Sequence, residues 1–252
     1  MAPLKRFCLI GHPVAGSLSP ALMYAAYGGR YSYDLVDEEL FERAWARGQE
    51  YDAFNVTAPY KRLAFGRSTF HDWHSSKTGA SNLIFPGDDI LSFNTDVEGV
   101  AGAVRESDLP MNPARQKSAL IVGTGGAAAA AVAACERYLN RDCLVAGRDI
   151  AKARELSSYC TGLNPLALEP ETVKDIDLVI YTLPGSAPVP EGLPLENAVV
   201  LEAEYKTPRL ASKACRQYIS GKLWLLHQAI AGFRIMTGEE PDILAMRAVL
   251  GL

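Results

Sequence analysis

Short apolar runs and amphipathic segments alternate along roughly the first 95 residues of the chain. The run at residues 7–11 (FCLIG) stops at Gly11 and is typical of a buried β-strand. Ser19-Pro20 then opens a helical pattern, with Ser19 as the expected N-cap and Pro20 as the first helical residue. The other elements predicted in this half are strands over residues 31–35 and 53–56, a helix over residues 37–47 capped by Asp37, and a hairpin of strands 81–85 and 90–93. This half therefore reads as an α/β module.

A second pattern begins at Ser118 and predicts a parallel sheet. It consists of apolar strands that alternate with helical or loop segments, over residues 119–122, 143–146, 178–181 and 198–201. Such βαβ repetition is typical of a doubly wound parallel sheet. A helix over residues 97–107 and a proline-containing loop over residues 109–117 precede it, so we place the passage between domains near residue 97. From Gly221 the chain is helical, with a break at Thr237-Gly238 before a last helix over residues 241–250.

Composition sets the broad class of protein. A chain of 252 residues can form one large domain or two small ones and bury a core without disulfides. A net charge of −4 gives no bulk attraction to nucleic acid or to an anionic membrane, so we expect neither as a partner. The apolar run near the start is too short for a signal peptide, and no membrane span is expected, which favours the cytoplasm. Both a monomer and a homodimer remain open.

Cysteines and histidines show no pattern of a metal or disulfide site. The five cysteines are odd in number and widely spaced, and none forms a CxxC pair, which favours reduced thiols. The histidines lack metal-ligand spacing, and His71 and His74 are expected to face solvent in a loop. We therefore predict no bound metal.

A glycine turn marks a candidate nucleotide site. Residues 119–128 (ALIVGTGGAA) combine a strand, a glycine turn and the start of an alanine-rich helix. Gly123 permits the tight turn, Gly125 leaves room for a pyrophosphate, and Gly126 allows the helix to pack closely on the sheet. The N-terminus of that helix offers N–H groups to the phosphates. A purely structural glycine turn is the alternative.

The end of the second strand bears on the choice of cofactor. It reads Gly147-Arg148-Asp149, where an acidic residue would suit the free ribose of NAD and an arginine suits the 2′-phosphate of NADP. Lys152 adds positive charge one turn later, which favours NADP, whereas Asp149 argues for NAD. A solvated loop charge is the alternative role for Arg148.

Polar side chains collect at strand ends in the first half. Ser17 and Ser19 follow the first strand at a helix N-terminus, where hydroxyl and backbone donors can bind a carboxylate, although an ordinary helix cap is the simpler reading. Lys61 and Asp96 each follow a strand end beside amides and hydroxyls. Reduction of a ketone needs a proton donor at the developing alkoxide, and a lysine held by a carboxylate can fill that role.

The chain resembles the shikimate dehydrogenase family along nearly its whole length. The resemblance rests on eight segments in the family's order: GHPVAGSLSP, FNVTAPYK, GASN, FNTD, VGTGGAAAA, GRDIAKA, EYKTP and GKLWLLHQAIAGF. It implies NADP-dependent, reversible reduction of 3-dehydroshikimate to shikimate in chorismate and aromatic amino acid biosynthesis. It also implies an N-terminal α/β substrate domain (residues 1–96), a Rossmann-type doubly wound NADP-binding domain (residues 97–220), and C-terminal helices (residues 221–252) that return to the first domain.

The resemblance also implies roles for individual residues. Lys61 and Asp96 match the catalytic pair of the family. The residues implied in shikimate binding are Ser17, Ser19, Asn55, Thr57, Asn82, Tyr205 and Gln228. Those implied in NADP binding are Gly123, Gly125, Gly126, Ala127, Arg148, Lys152, Thr182 and Gly221.

Departures from the family pattern keep other functions open. Gly147 and Asp149 flank Arg148 where the family usually has Asn and Thr, Glu202 replaces a common aspartate, and Trp224 replaces a methionine near the nicotinamide. A quinate or quinate/shikimate dehydrogenase that uses NAD is therefore one alternative. A non-catalytic NADP-binding regulator of the same fold is another, against which the Lys61/Asp96 pair argues. A folate-linked dehydrogenase is disfavoured by the two serines.

Overall fold

The computed structural model describes residues 5–109, 118–156, 161–163, 168 and 170–252 of the chain. Contacts divide the chain into two compact units. The first comprises Met1–Thr95 and Gln228–Leu252, and the second comprises Asp96–His227. By this division the second unit begins at Asp96, and the chain returns to the first unit at Gln228, inside a helix.

The first unit is an α/β module around a six-stranded sheet of order β2-β1-β3-β5-β6-β4. Strands β2, β1 and β3 run parallel, and β5 is antiparallel to both β3 and β6. The elements are β1 (Arg6–Gly11), α1 (Ser19–Tyr27), β2 (Ser32–Asp37), α2 (Phe41–Gly48), β3 (Ala53–Val56), α3 (Lys61–Arg67), β4 (Phe70–His71), α4 (Trp73–Thr78), β5 (Leu83–Phe85) and β6 (Leu91–Phe93).

Alternating side chains of the central strands form one part of the core of this unit. Cys8 and Ile10 of β1 pack with Phe54 of β3 beneath Trp45 of α2. The rings of Trp45 and Phe54 meet edge to face at 5.4 Å between centroids, an arrangement that aromatic pairs prefer. The core thus fixes the strands whose carboxyl ends carry the polar residues described below.

Several sequence predictions for this unit were wrong. Asp37 ends β2 and does not cap a helix, because α2 begins at Phe41 with Leu40 as its N-cap residue. The segment of residues 61–78 holds two short helices and a short strand that the pattern did not predict. His71 lies in that strand and stacks on Phe65, and His74 is buried in α4, so neither fits the prediction of a solvent-facing loop.

The second unit contains a six-stranded, fully parallel sheet of order β12-β11-β10-β7-β8-β9. This agrees with the predicted doubly wound sheet. The elements are α5 (Asp96–Arg105), β7 (Ser118–Val122), α6 (Gly126–Ala134), a π-helical turn (Cys135–Leu139), β8 (Cys143–Ala146), α7 (Ile150–Glu155), β9 (Thr161–Leu163), α8 (Pro170–Val173), β10 (Ile176–Tyr181), β11 (Val199–Glu202) and β12 (Gln217–Ser220). The expected loop over residues 109–117 lies outside the described residues except for Leu109.

Both faces of this sheet are covered. On β7, Ala119 and Ile121 face one apolar cluster, and Leu120 and Val122 face the other. Every residue of α6 from position 128 to 134 is buried, and its small alanines let the helix lie close to the sheet. Burial of both faces explains why these strands read as continuous apolar runs and not as alternating ones.

Two helices end the chain, α9 (Gly221–Thr237) and α10 (Ile243–Leu250). The side chain of Asp242 caps α10 by accepting from Ala245 N, and α10 packs against α1 within the first unit. Trp224 is buried and packs on Gly99 of α5, both in the second unit, so a ring of this size is accommodated in the core. Within the described part of the chain, no helix is both long and apolar enough to cross a bilayer.

Candidate functional site

A pocket of about 1170 Å³ opens in the second unit, at the carboxyl ends of β7, β8 and β10. This is where ligands bind in open parallel sheets. Its floor is formed by Val122, Gly123 and Ala146, and one wall by the segment that follows β10. The remaining lining residues are Thr124, Gly147, Arg148, Asp149, Lys152, Leu183, Pro184, Ser186, Ala187, Pro188, Val189, Pro190 and Glu191.

The glycine turn after β7 has the geometry that a dinucleotide needs. Gly123 has φ +121°, and a side chain there would collide with the Thr182 hydroxyl. Among the described residues, no atom lies within 4 Å of a Cβ built at Gly125 or Gly126, and both residues are exposed at the start of α6. The first N–H groups of α6 therefore face open space that a pyrophosphate can fill.

The rim of this pocket carries two cations, Arg148 and Lys152, both exposed. Asp149 caps α7, because its Oδ1 accepts from Lys152 N at 3.1 Å. A side chain at buried Gly147 would overlap the Thr124 methyl group, which explains why this chain has glycine there. The Asp149 carboxylate, which favoured NAD in the sequence, is thus hydrogen-bonded to the N-terminus of α7. The two cations of the rim suit a phosphate monoester.

Three other residues of the predicted cofactor set have structural contacts. Ala127 is the second residue of α6 and packs against the core. The Thr182 hydroxyl donates to Val122 O at 2.8 Å and so joins the ends of β10 and β7. Gly221 begins α9 where any side chain would collide with the carbonyls that end β11. Gly123, Arg148 and Lys152 are the predicted residues that line the pocket itself.

In the first unit, the two predicted serines lie together at the start of α1. The Ser17 hydroxyl donates to Ser19 Oγ at 3.2 Å and accepts from Ser19 N at 3.2 Å. The prediction that Ser19 caps α1 was wrong, because Leu18 is the N-cap residue and no side chain makes the capping bond. Two partly exposed hydroxyls therefore mark the N-terminal end of α1.

Tyr33 joins this serine pair to the amides of the sheet. Its Oη donates to Asn55 Oδ1 at 2.7 Å, and Ser19 also hydrogen-bonds the phenol. Burial, with the nearby Cys8 thiol, raises the pKa of Tyr33, so the phenol remains a donor across the physiological range. Asn55 Nδ2 then donates to Asn82 O at 2.9 Å.

Asn82 is the buried centre of the same network. Its Nδ2 donates to Thr95 Oγ1 at 3.1 Å and to Gln228 Oε1 at 3.2 Å, and its Oδ1 accepts from Thr95 N at 2.9 Å. Thus five of the predicted polar residues in the first unit belong to one connected set, namely Asn55, Asn82, Gln228 and, through Tyr33, Ser19 and Ser17. Both N–H bonds of the Asn82 amide are used within the network, which fixes the orientation of its side chain.

Thr57 and Lys61 follow β3 in the same unit. Thr57 lies so close to Gly11 that a side chain at position 11 would overlap its methyl group. Lys61 is the first residue of α3 and is partly exposed, and its carbonyl accepts from Ser81 N at 3.0 Å.

Asp96 and Tyr205 belong to the second unit. Asp96 is the first residue of α5 and is 8% exposed. Tyr205 lies in the turn that follows β11 and is half-buried. Burial, with the charge of Glu204 beside it, raises the pKa of Tyr205, which keeps its phenol protonated at neutral pH.

Sequence reasoning missed several polar residues that the structure brings into these sites. Tyr33 and Thr95 complete the network in the first unit, and Asp37 accepts from His12 and Val14 in the loop before the serines. Glu202 and Arg209 hold the Tyr205 turn. A tyrosine in the middle of an alternating strand was the one available signal for Tyr33, since its partner Asn55 lies in β3, which β1 separates from β2 in the sheet.

The described residues contain no group of three or more His, Cys, Asp or Glu side chains that could hold a metal ion. Cys8, Cys135, Cys143 and Cys215 form no disulfide within the described part of the chain, and Cys160 lies outside the described residues.

Comparison with known proteins places this geometry in a family. Shikimate dehydrogenase (NADP(+)) of Rubrobacter xylanophilus is 33% identical over 271 aligned positions, which cover 96% of this chain and 94% of the relative. The chain belongs to the shikimate dehydrogenase family. The family model for the shikimate 5′-dehydrogenase C-terminal domain matches residues 225–250, in α9 and α10.

Two solved structures share this fold over nearly the whole chain. Shikimate 5-dehydrogenase of Thermus thermophilus, in complex with NADP(H) and shikimate, is 25% identical with a TM-score of 0.82, over 98% of both chains. Quinate dehydrogenase of Corynebacterium glutamicum, in complex with NAD, has a TM-score of 0.83 over 98% of this chain and 99% of that one. At 20% identity the second likeness concerns the fold alone.

Proposed function

We propose that this chain catalyses the reversible, NADP-dependent reduction of 3-dehydroshikimate to shikimate, a step of chorismate and aromatic amino acid biosynthesis. The observation that carries the proposal is the connected network of Ser19, Tyr33, Asn55, Asn82 and Gln228 in the first unit. It offers hydroxyl donors at a helix N-terminus for a carboxylate and fixed amides for ring hydroxyls, which are the groups that shikimate carries. Family membership supports the same reaction.

The residues of the second unit fit NADP. The exposed N-terminus of α6 and the open glycines suit a pyrophosphate, and Arg148 with Lys152 suits a 2′-phosphate. Gly125, Gly126, Ala127, Thr182 and Gly221 complete the proposed set around the pocket. When bound, NADPH supplies the hydride, from C4 of its nicotinamide, to the C3 ketone. We therefore assign the dinucleotide to the second unit and the ring acid chiefly to the first.

The side chains of the enzyme bind the ring acid and supply the proton. Ser17, Ser19 and Tyr205 bind the carboxylate, with Asn55 and Thr57 beside it, while Asn82 and Gln228 bind ring hydroxyls. Lys61 and Asp96 form the catalytic pair, in which Lys61 donates the proton to the developing alkoxide. The cytoplasmic location and a monomeric or homodimeric state stay predictions.

The test is absorbance at 340 nm with shikimate and NADP, repeated with NAD and with quinate in each combination. We expect reduction of NADP with shikimate to give the highest kcat/KM. Lys61→Ala should lower kcat about 10²–10⁴-fold with a smaller change in KM, because a positioned acid contributes that much. The matched control is Lys174→Ala, an exposed lysine paired with Glu171 at 3.0 Å, which should leave both constants unchanged.

A higher kcat/KM for quinate with NAD would replace the proposed function by the quinate alternative. Binding of NADP without turnover of either acid would instead favour a regulator. An unchanged kcat in Lys61→Ala would remove Lys61 from the mechanism.

A further inference from the structure

The turn that carries Tyr205, residues 203–210, is anchored by a buried carboxylate. Glu202, at the end of β11, is 0% exposed. Its Oε1 accepts from Arg209 N at 2.6 Å, and its Oε2 accepts from Leu210 N at 3.0 Å and from Tyr218 Oη at 2.9 Å. A buried carboxylate that accepts three short hydrogen bonds resists displacement. The C-terminal end of the turn, at Arg209 and Leu210, is therefore fixed to the sheet.

The near end of the Tyr205 turn is also held. Glu204 Oε1 accepts from Lys206 N at 2.7 Å and from Thr207 N at 3.3 Å. The backbone N–H groups that Glu204 and Glu202 bind, at positions 206, 207, 209 and 210, directly follow Tyr205 in the turn. The position of Tyr205 depends on the whole turn and not on its own side-chain contacts alone.

The same turn contacts one wall of the nucleotide pocket. We define this wall as residues 183–191, which follow β10 and contribute Leu183, Pro184, Ser186 and Ala187 to the pocket lining. The Arg209 guanidinium donates to Gly185 O at 2.5 Å and to Ala187 O at 3.4 Å. One arginine thus bonds two carbonyl groups of the wall while its own N–H is bound by Glu202.

A second contact joins the turn and the wall independently of Arg209. A Cβ atom at Gly185 would overlap Thr207 Oγ1 and lie 2.9 Å from Thr207 O. The two segments approach each other so closely that only glycine fits at position 185. A displacement of the wall therefore also displaces the Tyr205 turn, unless this contact breaks.

We propose that Arg209 is a positioning residue that couples the two ligand sites, so that NADPH in the pocket tightens shikimate binding through Tyr205. The coupling rests on the proposed function, which gives Tyr205 its contact with the ring acid. A dinucleotide packed against the wall restricts it, and Arg209 transmits that restriction to the Tyr205 turn. Linkage requires that shikimate tighten NADPH binding by the same factor.

The experiment measures the dissociation constant of NADPH by titration calorimetry, without shikimate and with saturating shikimate. Reduced cofactor and alcohol cannot react together, so the ternary complex is stable during the titration. We expect shikimate to lower the NADPH dissociation constant of the wild type about fivefold or more. In Arg209→Leu, which keeps an apolar stem but removes the donors, this ratio should fall about threefold or more.

Three further variants distinguish loss of coupling from a general loosening of the fold. Gly185→Ala forces the wall away from Thr207 and should lower the ratio in the same way. Arg216→Leu is the matched control, since Arg216 is also an exposed arginine of this unit that bonds a backbone carbonyl, Asp108 O at 2.9 Å, and it should keep the wild-type ratio. Arg209→Lys should recover part of the ratio because one donor remains.

The results can overturn the coupling without touching the proposed function. A wild-type ratio of one in an enzyme that oxidises shikimate normally removes the coupling alone. An unchanged ratio in both Arg209→Leu and Gly185→Ala, or an equal fall in Arg216→Leu, also overturns it. Absence of both shikimate binding and turnover in the wild type removes the proposed function, and the coupling with it.

Discussion

Asp149 shows how a single contact changes the meaning of a residue. From the sequence, a carboxylate beside Arg148 argues for NAD, because it can accept hydrogen bonds from the ribose. In the structure its Oδ1 accepts from Lys152 N and so caps α7. A capping carboxylate is directed toward the helix N-terminus. Replacing such a capping residue by alanine lowers the free energy of unfolding by about 0.5–2 kcal/mol. The sequence could supply the residue types here but not which group each one bonds.

Tyr33 is the residue that sequence reasoning most clearly missed. Its hydroxyl bridges Ser19 and Asn55, which lie 36 positions apart, and no local pattern reports such a pairing. By contrast, Ser17, Asn82 and Gln228 could be named as candidates because each lies within a short family motif. A motif points to a candidate binding residue, whereas a residue that supports it through a distant hydrogen bond becomes visible only once the strands are paired.

Replacing Tyr33 by phenylalanine tests this support. Tyr33→Phe leaves Asn55 Oδ1 without its donor, a loss of about 1–3 kcal/mol when the acceptor is buried. We expect KM for shikimate to rise about 5–10-fold with kcat within about twofold of the wild type. The control is Tyr51→Phe, whose hydroxyl donates to Asp34 Oδ2 at 2.9 Å in the same unit. Equal kinetics in the two variants would exclude a role for Tyr33 in the site.

At the scale of elements, the long apolar runs were predicted well. Strands β3 and β8 have the bounds that the pattern gave, because buried strands have clear local signals. Helix α1 begins one residue before the predicted Pro20. The short elements between Lys61 and Thr78 were missed. Helices of six or seven residues are only marginally stable in isolation and form because tertiary contacts stabilise them. Local periodicity therefore does not predict them.

Two loops of the candidate site share one feature. In each, an acidic residue at the end of a parallel strand accepts hydrogen bonds from backbone N–H groups of the loop. Glu202 does this for the Tyr205 turn, and Asp37, at the end of β2, does it for the loop before the serines. Asp37 Oδ2 accepts from Val14 N at 3.1 Å and its Oδ1 bonds His12 Nδ1 at 2.7 Å. The Val14 N–H, followed by His12, holds the pKa of Asp37 below its ordinary value of 3.8.

This lowered pKa predicts the pH dependence of an Asp37→Asn variant. A carboxyl whose folded pKa lies below its unfolded pKa stabilises the fold above the unfolded pKa, and loses that contribution as the pH falls through the folded pKa. The wild type should therefore be more stable than Asp37→Asn at pH 7, and the difference should shrink below about pH 4. Urea unfolding at a series of pH values measures it, with the exposed turn residue Asp88→Asn as the control. If the difference in unfolding free energy between the wild type and Asp37→Asn grew as the pH fell, this account of Asp37 would be contradicted.

For the whole molecule, the division into an α/β module and a parallel dinucleotide-binding unit could be predicted from the sequence. The start of βαβ repetition at Ser118 indicates a second unit. The structure divides the chain between Thr95 and Asp96. The return of the C-terminal helices could be expected only from the family resemblance. The point of return, inside α9 at Gln228, depends on contacts along a continuous helix, and no break in the sequence marks it.

The central claim is that this molecule transfers hydride between NADP and C3 of a shikimate-type ring. The most direct measurement is to incubate the enzyme with 3-dehydroshikimate and NADPH deuterated at both C4 positions, and to examine the product by NMR. We predict shikimate with one deuterium at C3 and none at other ring carbons. Deuterium on a different carbon, or dehydroshikimate recovered unchanged while the protein binds NADPH, would contradict the account.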